Sequence, residues 1–366
     1  MTKKPTIRPR TSLTSPSNSN GPTPFVFSQT SYSMPEAVES KSANSESTFF
    51  VKWGSDNAYP KFIYDLYETT SQFNALVNNL HDYVLGESLS FSRAFPKGDD
   101  LNELVDKCVL DLILFNMCAV QRLRNPLGEL AGLAYVDIIK LRIGVQDGEP
   151  TAYWSDNWSS YTKKYVTVPI DSPESDSDIV IFKARSKSIY PAPLYSGALK
   201  SIVILNSVDN YHLNNIKNGF AGSFLMNFNN GVPSKEDQSS IEKKIQDKWC
   251  GDKNAGKFIL SFNDTQDNAA TIEKVPEDSL DTKFETLYST CKENLLMAFR
   301  CPSQLVGITE SANAFNNIEY EQSFLLYSRT AVQPMQSQVR GFFEKVTGIQ
   351  GFLTIEPFQI KFNTEQ

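Results

Sequence analysis

The sequence predicts an α+β protein in which two long helices bracket a small αβ insert. Three observations carry this expectation. Apolar residues recur at helical spacing over Leu199–Val208 and again over Leu280–Ala298, with Gly219 and Pro302 as stops. Between those helices, strand, turn and helix signals follow one another closely. Ahead of them, short β-branched and aromatic runs alternate with turn residues.

From the start of the chain, residues 1–48 are dominated by Ser, Thr, Pro and Asn, and Lys3, Lys4, Arg8 and Arg10 all precede the first acid, Glu36. Such a segment cannot bury enough apolar area to offset its ordering entropy, so it reads as a disordered arm with a basic tip. Order is expected from Phe49–Gly54, a short strand or buried aromatic cluster, with a turn at Ser55-Asp56-Asn57. Phe62, Leu66, Phe73, Leu76, Val77, Leu80 and Val84 then fall at helical spacing until Gly86, giving one or two amphipathic helices. Leu101, Leu104, Val105, Cys108, Leu112 and Phe115 mark a further helix. Cys118–Leu123 and Ala131–Val136 flank the turn Asn125-Pro126-Leu127-Gly128 as a hairpin, and strands are expected at Thr151–Trp154, Tyr165–Val168 and Ile179–Phe182.

The first long helix runs from Ser196 to Asn218. Its second half carries Asn206, Asn210, Asn214, Asn215 and Asn218, a poor autonomous helix that needs tertiary or intersubunit packing. The insert, Phe220–Pro276, places a strand at Ser223–Phe228, a helix capped by Ser234 with Asp237 three residues on, and a strand at Lys257–Phe262. The second long helix, Asp278–Phe299, has Leu280, Phe284, Leu287, Cys291, Leu295 and Ala298 in near-heptad order. After the loop Gly307–Asn313, a third helical run from Ala314 through Val346 should kink at Pro334, and strand-like segments Phe352–Ile355 and Phe358–Phe362 close the chain.

Composition excludes several functions. A formal charge of −7 excludes a strongly basic nucleic-acid clamp, although not a conduit that must not grip DNA. The apolar run around Val109–Phe115 is far too short to span a membrane, and no secretory signal is legible, so a reducing cytoplasm is the expected compartment. The five cysteines, Cys108, Cys118, Cys250, Cys291 and Cys301, include no C-x-x-C pair and read as small core residues. His81 and His212 are the only histidines, too few for clustered His chemistry, and both read as structural. Gly251–Lys257 fits G-x-x-x-x-G-K, but Phe258 stands where a phosphate loop needs Ser or Thr. A helix precedes the motif and a strand follows it, the reverse of what cradles a phosphate. The acidic pairs Glu236/Asp237 and Asp278/Asp281 lie at helix N-termini, where capping accounts for them. No catalytic residue, metal or cofactor is expected.

Four segments carry a resemblance: Trp53–Pro60, Tyr211–Phe220, Asn254–Phe258 and Arg300–Gly307, arranged around the helix–insert–helix core. Together they resemble the portal proteins of tailed double-stranded DNA bacteriophages, over about Phe49 to Val346. The resemblance implies a portal-like fold: an α+β wing at 49–195, a stem helix at 196–219, an αβ clip at 220–277, a second stem helix at 278–301, and a tunnel loop, kinked tunnel helix and wing return at 302–366. Because the chain ends soon after the third helical run, a helical crown is reduced or absent. The implied function is a homo-oligomeric ring, usually a dodecamer, at one capsid vertex. Through its channel double-stranded DNA is packaged and ejected without sequence specificity. The implied partners are the major capsid protein, the terminase large subunit, which holds the ATPase, and the head–tail connector. A connector or other head–tail joining protein is the alternative reading, and a nucleic-acid-processing enzyme a third. The residues expected to act are Thr309, Glu310, Ser311, Asn313 and Phe315 in the tunnel loop; Trp249, Lys253, Asn254 and Lys257 in the clip; and Lys217 and Asn218 at the stem–clip junction. For the indole of Trp249 a place in the clip's own core is the favoured alternative to a partner contact.

Overall fold

A five-stranded antiparallel sheet, a four-stranded mixed sheet and a cluster of helices form the body from which the two long helices project. The computed structural model describes residues 37–42, 47–158, 164–184, 186–217, 224–228, 234, 237, 240, 258–262, 280–307 and 317–359; at 215, 217, 224–228, 258–262, 280–283 and 317 the description is of the backbone. In chain order, strands β1 (Glu39–Lys41) and β2 (Phe49–Trp53) lead into helices α1 (Tyr59–Thr69) and α2 (Ser71–Leu85). Next come β3 (Ser88–Phe91), β4 (Lys97–Gly98), α3 (Leu101–Phe115) and β5 (Met117–Arg124). Strands β6 (Leu130–Tyr135), β7 (Leu141–Gln146), β8 (Glu149–Trp154), β9 (Val166–Pro169) and β10 (Ser177–Lys183) follow. The sheets have the orders β1-β2-β7-β8-β9 and β10-β5-β6-β4, the second mixed because β4 pairs parallel with β6.

Local chemistry explains the elements. Asp100 caps α3 by accepting from the amides of Asn102 and Glu103 at 2.9 and 3.2 Å, and Asn116 ends it in the left-handed region at φ 56°. The hairpin β5–β6 closes because the Asn125 side-chain oxygen accepts from the amides of Leu127 and Glu129 at 3.0 and 2.9 Å. Helix α3 is buried along most of its length and packs on β5 and β6. That burial takes the Asp111 carboxyl with it: desolvation holds its pKa well above the usual carboxylate range, and the Tyr135 hydroxyl donates to Asp111 Oδ2 at 2.8 Å.

A second polar centre orders the turn after β2. Arg142, 1% exposed, donates from Nε to Asn57 Oδ1 at 2.6 Å and from Nη2 to the Asn57 carbonyl at 2.6 Å. Burial lowers its pKa to about 10, so it remains cationic at neutral pH. Beside it Trp53 stacks on Tyr190 with centroids 4.3 Å apart, and the Tyr190 hydroxyl donates to the Val51 carbonyl at 2.6 Å.

Several expectations need correction. The arm predicted over 1–48 is not irregular throughout, since Glu39–Lys41 pairs antiparallel with β2 as an edge strand of polar, half-exposed residues that carries no hydrophobic alternation. Strand β7 was not expected, because Arg142 and Gly144 interrupt its apolar pattern. Gly144 is needed there, as a β-carbon would lie 2.1 Å from the Phe49 carbonyl oxygen. Only Leu353–Glu356, here β13, forms the closing strand, paired with β3; Phe358 and Gln359 lie outside any strand, and residues 360–362 fall outside the described residues.

Among the described residues the cysteine and His81 expectations hold. Cys108, Cys118, Cys291 and Cys301 are buried free thiols, while Cys250 lies outside the described residues. His81 is mostly buried, with Nε2 3.1 Å from the Asp106 carbonyl oxygen, whereas His212 is exposed on the first long helix. No helix among the described residues is long and apolar enough to cross a membrane.

Candidate functional site

Beyond β10, a single 3₁₀ turn at Ser196–Ala198 opens helix α4, Leu199–Lys217. Its partner is α5, Leu280–Phe299. The two run antiparallel, as three cross-contacts establish. Tyr195 stacks on Phe299 with centroids 5.6 Å apart and planes 4° apart; Asn294 Nδ2 donates to Ser201 Oγ at 3.2 Å; and Tyr211 stacks on Phe284 at 5.3 Å. Between the helices lie β11 (Phe224–Phe228) and β12 (Phe258–Phe262), a parallel pair in register Phe224↔Phe258 through Phe228↔Phe262. A parallel pair requires a crossover connection, and the helix expected there falls almost wholly outside the described residues. Its predicted cap is present, with Ser234 Oγ accepting from the Asp237 amide at 3.2 Å and donating to Asp237 Oδ2 at 2.7 Å.

Apolar burial along this helix pair is greater near the sheets, Met297 at 68% exposure excepted. Near the sheets, Leu199, Ile202, Leu205 and Val208 of α4 and Cys291, Leu295 and Phe299 of α5 are buried, and Phe73 of α2 packs against Tyr195 and Phe299. Toward the insert, Tyr211, Leu213, Ile216 and Leu287 are exposed, Ile216 by 60%. These four side chains present apolar surface that the described residues leave in part uncovered.

The Asn-rich face of α4 is partly satisfied within the chain. Asn206 Nδ2 donates to Thr69 Oγ1 at 2.6 Å and to Thr70 Oγ1 at 3.1 Å, and Asn210 Nδ2 donates to Asn206 Oδ1, one turn on. Asn214 continues the i, i+4 row and is exposed. A shallow groove beside the row is lined by Val208, Asp209, His212, Phe284, Glu285 and Tyr288.

At its far end α5 stops in a Schellman arrangement: the Cys301 amide donates to the Leu296 carbonyl at 2.9 Å and the Arg300 amide to the Met297 carbonyl at 3.1 Å, with Arg300 left-handed at φ 53°. A short 3₁₀ helix, Ser303–Val306, leads to Gly307 at φ 75°. Helix α6, Asn317–Tyr327, then passes through a π turn at Ser328–Val332 into α7, Gln333–Thr347. The long run expected from Ala314 is present over 317–347 as α6, the π turn and α7, and the irregularity expected at Pro334 takes the form of the π turn just ahead of it; residues 314–316 lie outside the described residues. Burial raises the Cys301 thiol to about pKa 11, which keeps it protonated and unreactive near neutrality.

Of the residues expected to act, Thr309, Glu310, Ser311, Asn313, Phe315, Trp249, Lys253, Asn254, Lys257 and Asn218 lie outside the described residues, and Lys217 closes α4 with only its backbone described. The residues that organise the region and were given no role from sequence are Tyr195, Phe299, Arg300 and Thr330. Arg300 opens one of the segments that carry the resemblance, and the stop at Pro302 also pointed toward it. Among the described residues no group of three or more His, Cys, Asp or Glu side chains is placed to hold a metal ion.

The family model described as phage portal protein matches residues 98–366. No curated protein shows a significant match to the sequence. Among solved structures, the neck of an empty gene transfer agent particle computed with C6 symmetry aligns with a TM-score of 0.52 at 13% identity, covering 82% of this chain and 84% of that one. The neck of the native particle, computed with C12 symmetry, aligns at 0.50 and 14% identity with the same coverage. A HK97-family phage portal protein from Corynebacterium diphtheriae aligns at 0.46 and 14% identity, covering 77% of this chain and 88% of that one.

Proposed function

The chain belongs to the phage portal protein family, and from that premise we propose that it forms a closed ring at one vertex of a phage-type capsid, the channel through which double-stranded DNA enters and later leaves. The family match over residues 98–366 carries this reading. The fold likeness to particle necks computed with twelve-fold and six-fold symmetry supports a ring of about that order. The lower apolar burial of α4 and α5 toward the insert supports it physically, since neighbouring copies in a ring would cover Tyr211, Leu213, Ile216 and Leu287.

In this reading residues 49–195 are the wing, α4 and α5 the stem, and the segment around β11 and β12 the clip. The clip meets the terminase and later the head–tail connector, with Trp249, Lys253, Asn254 and Lys257 as contacts and Lys217 and Asn218 at its junction with the stem. Thr309, Glu310, Ser311, Asn313 and Phe315 line the narrowest part of the channel. The wing meets the major capsid protein. A channel that passes DNA must avoid tight phosphate binding, and a chain with a formal charge of −7 suits that demand. The portal is a structural component with no catalytic residue of its own; ATP hydrolysis belongs to the terminase. The test is an asymmetric reconstruction of particles assembled with a tagged copy. Density for the tag at a single capsid vertex is expected. Tag found only in the tail, or spread over the shell, would overturn the reading.

A further inference from the structure

We propose that Arg300 is a positioning residue: from the end of α5 it supplies the hydrogen-bond donor that Pro334 lacks, and so fixes the π turn between α6 and α7. In an α-helix the carbonyl of Thr330 would accept from the N–H four residues on. That residue is Pro334, which has none. The ladder has already slipped by one residue in the preceding turn, where the Gln333 amide donates to the Ser328 carbonyl. The Thr330 carbonyl instead accepts from Arg300 Nη1 at 3.2 Å. The Thr330 hydroxyl does not compete, because it donates back to the Leu326 carbonyl at 2.7 Å.

Arg300 itself is held for this purpose. Its left-handed φ of 53° is the position after a helix where glycine is usual, and a residue with a β-carbon adopts it only at a cost. The next residue, Cys301, is buried and accepts from Asn79 Nδ2 at 3.5 Å, which ties the end of α5 to α2. The guanidinium therefore reaches α6–α7 from a fixed base. Swinging α6 away from α5 breaks the Arg300–Thr330 bond. The portal reading gives this its functional sense, because α5 is then the second stem helix and α6 the helix beside the channel, and the contact makes the two move together.

Hydrogen exchange on the full-length protein tests the proposal through a double-mutant cycle of Arg300→Gly and Pro334→Ala. Glycine relaxes the left-handed backbone and removes the guanidinium, so Arg300→Gly is expected to raise exchange of the peptide covering Ser328–Met335 about five-fold, as one net hydrogen bond requires, while the last turn of α5 stays at least as protected. Pro334→Ala restores an N–H for the Thr330 carbonyl, so adding Arg300→Gly to it should change exchange there less than about two-fold. Equal effects of Arg300→Gly in both backgrounds, or none in the wild-type background, would overturn the proposal. The mass of the same samples separates the two ideas: a cycle that behaves as expected in a protein that forms no ring leaves the Arg300 contact standing and the portal reading refuted.

Discussion

Tyr195 and Phe299 stack nearly parallel, 4° apart in plane, at the point where the first long helix begins and the second one ends. Both rings are buried, Phe73 packs edge-on against Tyr195, and the Tyr195 hydroxyl donates to the Leu114 carbonyl at 2.7 Å. One aromatic cluster thus fastens both long helices to α2 and α3.

Phe299→Ala should therefore destabilise the fold by about 3 kcal/mol, the range for emptying a buried aromatic site. Denaturant unfolding of the variant should show a lower midpoint with an unchanged slope. A midpoint equal to wild type would mean that the long helices are anchored elsewhere.

Asp111 gives a pH signature of unusual sign. Its folded pKa is raised by burial, so between the unfolded value near 4 and the folded one the native state binds the extra proton. That contribution is fully present below about pH 4 and is lost as pH rises toward the folded pKa. Asp111→Asn keeps an oxygen to accept from the Tyr135 hydroxyl and has no charge to bury. Its stability relative to wild type should rise with pH from about 4 upward, measured by thermal melts across that range; a pH-independent difference would contradict the upward shift of the buried carboxyl.

The uncovered apolar side chains near the insert make a separate prediction. Leu213→Glu combined with Ile216→Glu places charges on a surface that is 47% and 60% exposed in the single chain, so the isolated fold should keep its circular dichroism spectrum. A ring that buries this surface should fail to close. Intact rings from the double variant would place the intersubunit contact on another face.

Much of the fold was legible because it rests on local patterns. The Leu199–Val208 and Leu280–Ala298 periodicities gave α4 and α5, the Asn125–Gly128 turn gave the β5–β6 hairpin, and Ser234 with Asp237 gave the insert cap. What escaped depends on distant partners. Strand β1 is defined only by its pairing with β2, and β7 hides a buried Arg142 whose partner, Asn57, lies far away in the chain. Pro334 announced a break, but the π turn ahead of it is stabilised in part by Arg300, thirty residues upstream of Thr330. The expected tunnel-loop and clip contacts fall on residues that the structure does not describe, so they stand on resemblance alone.

Deletion of Thr309–Asn313 separates the channel role from assembly. Rings should form normally, while DNA packaging or retention in particles should fall, read as nuclease-protected DNA per capsid. Loss of the ring itself would show that the segment is structural.

The central claim, that this chain is a ring-forming portal, is tested most directly by native mass spectrometry of the full-length protein co-expressed with its capsid proteins. The expected result is one closed species at an integral multiple, near twelve, of the 41.1 kDa chain mass, with a central channel in images of the same sample. A protein that stays monomeric under these conditions, free or with the capsid proteins, would contradict it.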